Sequence, residues 1–242
     1  MGSMNLNEII IDAMKYSASD LKMLLLLGLV LFIADFADSL SGAGETTDIL
    51  RFFLSVVVIL LAIFEAGYVF RIVEETIHGS KKLPQFNELK ITFIHGLKET
   101  IVLIMYFSIP LLLFVLFFVE FLFSMDLDDV SGESTALFLI ILAITVIIYA
   151  FFPAVLLHRA HHNGEVRASI DFKKIYHKIR NVGIKRLIIV YLGIFIVGTM
   201  VEVALSDSLA NTIPIIGTFI PDLIIAPYIL IFSARFLGLI DR

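Results

Sequence analysis

The sequence predicts an all-α integral membrane protein: six transmembrane helices in three similar helix-pair units, each preceded by an amphipathic interfacial helix on the cytoplasmic side. Three observations carry that expectation. The 242 residues are 59% hydrophobic and 17% charged, with a mean hydropathy of +0.98, outside the usual range of soluble domains. Mostly apolar runs long enough for a hydrocarbon core of about 30 Å fall near 21–40, 49–72, 99–124, 135–157, 186–205 and 213–239. Lysine and arginine are placed unevenly. Seventeen of the eighteen lie before or at the first run, in 71–98, in 159–186 or near the C-terminal end, and Arg51 alone falls elsewhere. By the positive-inside bias both termini and the two basic connections are cytoplasmic, in the cell membrane.

The first unit covers about 5–78. It begins with a weakly amphipathic stretch in which Leu6, Ile9, Ile10, Ala13 and Met14 alternate with Asn7, Glu8, Asp12 and Lys15. The first span carries Asp35 and Asp38 near its end and no small-residue cleavage pattern, so it reads as a retained helix and not a signal peptide. The span that follows closes with Gly67 to Arg71, pairing a helix-loosening residue with an arginine able to snorkel to the interface. Residues 79–84 make the turn into the second unit, about 84–164. There Phe86, Leu89, Phe93 and Leu97 recur at helical spacing against Asn87, Glu88, Lys90 and Lys98, which predicts a helix lying flat in the interface. The third unit, about 169–240, starts the same way: Asp171 is a plausible cap, and Phe172, Ile175, Tyr176, Ile179 and Val182 form a stripe against Lys173, Lys174, Lys178 and Arg180. The later returning spans end on Pro153 to Arg159 and Pro227 to Arg235. Corresponding spans run the same way, so a symmetry axis along the membrane normal is expected.

Several chemistries are excluded. Without cysteine there is no disulfide, thiolate metal site or cysteine nucleophile. No G-x-S-x-G elbow, H-E-x-x-H pair or P-loop is present, and no cofactor is implied. Basic and acidic residues form two opposed surfaces, so nucleic acid is not an expected partner. Membrane lipids are.

Ionisable residues within hydrocarbon are costly and mark functional candidates. "ADFAD", "VEFLF" and "VEVAL" put Asp35, Glu120 and Glu202 in register near the outer ends of three spans, with Asp222 after Pro221 in the last. Two readings stand: the acids converge on a cation or shared protons, or they hydrate through the head groups. Glu65 lies deeper, either as a hydrogen-bonded structural carboxyl or as a transport site. His158, His161 and His162 have a spacing that can present two imidazoles to a metal, but no strong third ligand is near, and a solvated cluster beside Arg159 is the preferred reading.

With GYVFR at 67–71, HGSKKLPQF at 78–86 and GLKE at 96–99, the chain resembles a family of uncharacterised multi-pass membrane proteins, a domain of unknown function found largely in methanogenic archaea. The similarity is most specific over 67–110 and looser around Pro153 and in the closing PYILIFSARFLG. It implies an archaeal cytoplasmic membrane protein and supplies no activity. Two functions follow from the residues. One is a small transporter or channel-like protein in which the outer carboxylates attract a cation or cationic amphiphile. The alternative is a non-catalytic module organising lipids or partner proteins through Lys90, Lys98, Lys173, Lys174, Lys178 and Arg180.

Overall fold

The computed structural model describes residues 5–42, 46–123, 132–183, 198–200 and 220–241, and every regular element among them is helical. In chain order these are α1 (Leu6–Ser17), α2 (Leu21–Gly42), α3 (Asp48–Ile77), α4 (Leu89–Phe123), α5 (Gly132–Ala160), α6 (Phe172–Val182) and α7 (Ala226–Ile240). A 3-10 turn at Phe86–Glu88 leads into α4, another at Val166–Ile170 precedes α6, and a π turn at Pro221–Ile225 leads into α7. Among the described residues five stretches are long and apolar enough to cross a membrane: Leu21–Gly42, Asp48–Ile77, Phe86–Val119, Ala136–Ala160 and Pro221–Ile240. The other predicted span, 186–205, lies outside the described residues apart from 198–200.

Helix starts follow local chemistry. Glu8 accepts a hydrogen bond from the Asn5 backbone N–H at 3.1 Å, half of a capping box. Asp171 caps α6 by accepting from the Lys174 N–H at 3.2 Å, and Gly183, at φ 92°, ends it. Hydrogen bonds from the Lys174 side chain and backbone hold the Asp171 carboxyl below its ordinary range.

The predicted flat helix before α4 is not a separate element. After the 3-10 turn, α4 runs unbroken for 35 residues, about 52 Å at the usual rise. Nothing between Leu89 and Ile109 stops a helix, since Gly96 is taken up in packing. Leu89, Ile91, Ile94 and Leu97 are exposed, while Thr92, Gly96 and Glu99 are buried. Where the surroundings are lipid, apolar side chains face outward at no cost and polar ones gather where protein partners exist.

α3 is the hub of the packing, touching α2, α4, α5 and α7, and α5 and α7 also touch each other. α1 lies on α7, with Ile9 and Ala13 against Phe236, Leu239 and Ile240. α6 lies on α5, with Ile175 and Ile179 buried and Phe172 and Tyr176 exposed. The core gathers at the end of the bundle where α3, α5 and α7 terminate, around Tyr68, Phe70, Val73, Leu157 and Ile231. The first half of α3 (Ile49, Phe52, Phe53, Ile59) and the second half of α4 (Leu111, Leu112, Leu116) are exposed and apolar.

Candidate functional site

Three arginines lie near the ends of α3, α5 and α7, and all three are buried: Arg71 is 7% exposed, Arg159 0% and Arg235 2%. The expectation that they snorkel outward is therefore corrected, and the reason is local: each guanidinium is buried and finds a carboxylate partner, Glu99 buried with Arg159, and Glu88 and Asp12 partly exposed at the rim. Arg71 donates from Nη1 to Thr92 Oγ1 at 2.8 Å and from Nη2 to Glu88 and, at 3.4 Å, to Glu75. Arg159 donates from Nη1 to Glu99 Oε1 and from Nη2 to the Gly164 carbonyl at 3.0 Å, with its guanidinium 5.0 Å from the Phe70 ring centre. Arg235 donates to Asp12 at 2.8 Å and to the Ser80 carbonyl at 2.6 Å. Its guanidinium sits 4.2 Å from the Tyr16 ring centre, and burial pushes the Tyr16 hydroxyl above its ordinary pKa. A buried charge is tolerated when paired and hydrogen-bonded, so these arginines tie α3 to α4, α5 to α4, and α7 to α1.

The other motif residues complete the joint. Tyr68 donates to the Pro84 carbonyl at 2.9 Å, and its ring centre is 4.8 Å from that of Phe86. A Cβ on Gly67 would lie 1.9 Å from the Thr92 carbonyl oxygen, and one on Gly96 1.8 Å from that of Ile63. Gly67 is thus no loosening residue. It and Gly96 let two helix backbones touch.

Beside this joint, α3, α5 and α7 leave a cavity of about 440 Å³. Its walls include Ala66 and Val69 of α3, Tyr149 and Phe152 of α5, and Ser233 and Leu237 of α7, and α4 adds Glu99, the one carboxylate among the described lining residues. One Glu99 oxygen accepts from Arg159, and among the described residues no hydrogen bond is made to the other. The volume and the mostly apolar lining with a few convergent polar groups fit a small-molecule site. Among the described residues no three His, Asp or Glu side chains are grouped to hold a metal ion.

The predicted site residues fall elsewhere. Asp35 is exposed on α2, and Glu65 is half-buried on α3 with no hydrogen-bond partner among the described residues. Asp222 is half-buried in the π turn. None of the three lines the cavity. Glu120 is in α4, but its side chain, like all of Glu202, is outside the described residues. Of the basic set, Lys90, Lys173, Lys174 and Arg180 are exposed and Lys98 half-buried. Lys174 pairs with Asp171 at 3.0 Å and Lys178 with Asp241 at 2.8 Å. The histidines are not one solvated cluster: His161 pairs with Asp241 at 2.7 Å, but His158 is 6% exposed. Glu99 was the residue most worth finding in the sequence. Its signal is present, a carboxylate at the end of GLKE entering an apolar run, with Arg159 a cation near the end of another.

The fold and these joints define an all-helical protein with several helices of membrane-spanning character, closed at one end by buried arginines paired with carboxylates. The chain belongs to the family described as Protein of unknown function (DUF4013), which matches residues 50–206 and so takes in the α3–α4 joint and Arg159. No curated protein and no solved structure matches it.

Proposed function

We propose that this protein is a non-enzymatic membrane transporter or channel-like protein for a small cationic amphiphile, with both termini on the cytoplasmic side. The observation that carries the reading is the cavity between α3, α5 and α7, whose apolar walls suit a hydrocarbon body and whose carboxylate, Glu99, suits a cationic end. Arg159 holds Glu99 in place through one oxygen and leaves the second as an acceptor. Asp35, Glu120 and Glu202 act earlier, concentrating cations at the outer mouth. The three-unit division at 5–78, 84–164 and 169–240 suits the same picture, because α3, α5 and α7, the second helices of the units, meet around the cavity.

The test is uptake of a fluorescent lipophilic cation into proteoliposomes. The parent protein moves it faster than protein-free vesicles, Ala66→Phe, which fills the cavity, abolishes the difference, and amides at Asp35, Glu120 and Glu202 reduce it. Uptake that Ala66→Phe leaves untouched, or none with the parent, removes the reading.

A further inference from the structure

α5 carries the cavity on one face, through Tyr149 and Phe152, and something different on the next. Ile148, Phe151, Val155 and His158 follow at steps of three and four, one stripe along α5, and His162 continues it in the turn just past the helix end. The stripe changes character part way. Its first three residues, with Tyr106 of α4 and Phe172 and Tyr176 of α6, line an apolar groove of about 410 Å³. Its last two, with Glu165, Arg167, Asp171 and Lys174, line a polar pocket of about 420 Å³ where the span ends. From Ile148 to Val155 the groove extends about 10 Å along the helix. Tyr106, in the groove wall, donates to the carbonyl of Ser169 at 2.6 Å, between Ala168 and Ile170 of the pocket wall.

The polar pocket has bonding capacity left over. Asp171 is engaged by the Lys174 ammonium and by the first turn of α6. His162 bonds through Nδ1 to the His158 carbonyl at 2.9 Å. Arg167 is exposed and has no ion-pair partner among the described residues, and Glu165 is exposed too, its carboxylate without one. His158, part of the wall and 6% exposed, keeps Nε2 buried without a hydrogen-bond partner, a cost unless something meets it. The formal charges balance, Arg167 and Lys174 against Glu165 and Asp171, so the pocket does not suit a bare polyanion. It suits a group carrying both an anion and a donor.

We propose that this two-part face binds a bilayer phospholipid with an amine-bearing headgroup: the phosphate diester against Arg167 and His158, the ammonium against Glu165, and an acyl chain along the groove beside Phe151. Charge complementarity at one end and hydrocarbon at the other fix the occupant as a lipid. The exposed Phe172 and Tyr176, 67% and 64% exposed, place aromatic rings on the rim, as at a membrane interface. The site is independent of transport through the central cavity.

Native mass spectrometry of the whole protein in detergent, titrated with dioctanoyl phosphatidylethanolamine, tests it. One saturable adduct is expected, weakened roughly tenfold by Arg167→Ala and by Ile148→Trp, which fills the groove, and unchanged by Lys90→Ala. If Ile148→Trp does not fold, Arg167→Ala, at an exposed position, still decides. Equal binding by Arg167→Ala and the parent overturns the proposal. So does displacement of the lipid by equimolar inorganic phosphate, which would mark a free-phosphate site, or equal binding of dioctanoylglycerol, which has no phosphate.

Discussion

Arg71, Arg159 and Arg235 behave as internal fasteners, each placed where a helix end must be joined to a neighbour. Arg159 is the most enclosed, and its partner Glu99 lies in the cavity wall. Removing one member of a buried pair strands the other charge, whereas removing both leaves none stranded. Arg159→Met is therefore expected to lower stability by about 3–5 kcal/mol, and Glu99→Leu with Arg159→Met to recover most of that. Denaturant titration of the purified protein in mixed micelles measures both, and additive losses would show that the two residues do not act as a pair. The positions of these arginines were legible in the sequence, but their burial was not. An arginine near the end of an apolar run has the same local pattern whether it snorkels outward or turns inward, and only the carboxylates brought to it by folding, distant in sequence at Glu99 and Asp12, distinguish the two.

Between elements, the α3–α4 crossing depends on Gly67 and Gly96, because each backbone occupies the space a neighbouring side chain would need. Overpacking of this kind costs typically about 1–3 kcal/mol, and here the obstructing atoms are backbone oxygens that cannot swing aside. Gly67→Val is expected to cost at least that much and to lower the melting temperature in detergent, while Gly42→Val, which meets nothing within 4 Å, leaves it nearly unchanged. Equal effects at the two positions would contradict the crossing. Both glycines lie in the motifs GYVFR and GLKE that carry the family resemblance, but the sequence suggested a loosened helix at the first and no crossing at the second. A glycine in an apolar helix is compatible with either, and the choice depends on what passes beside it. α6 was read almost in full, since its cap, stripe and basic face all lie within a dozen residues. The start of α4 was misread for the opposite reason: its inward face is polar because distant Arg71 and Arg159 need it to be.

For the molecule as a whole, hydropathy was enough to foresee a set of membrane-length helices, and five appear among the described residues. It did not foresee that the tightest packing collects at one end, nor that three helix ends leave a cavity between them, because apolar residues facing lipid and apolar residues facing a void are written alike. Asp35, for which convergence on a cation and hydration through head groups were both open, is exposed, and the cavity has a carboxylate from α4, Glu99. The absence of cysteine makes the cavity directly testable. The decisive measurement is the rate at which a small cationic methanethiosulfonate reagent modifies Ser233→Cys, in the cavity wall, with and without tetraphenylphosphonium, set against Phe172→Cys on the exposed face of α6. Protection by the lipophilic cation at the first position and none at the second is the predicted result; modification of both at rates indifferent to the cation would contradict the claim that the helices enclose a site for such molecules.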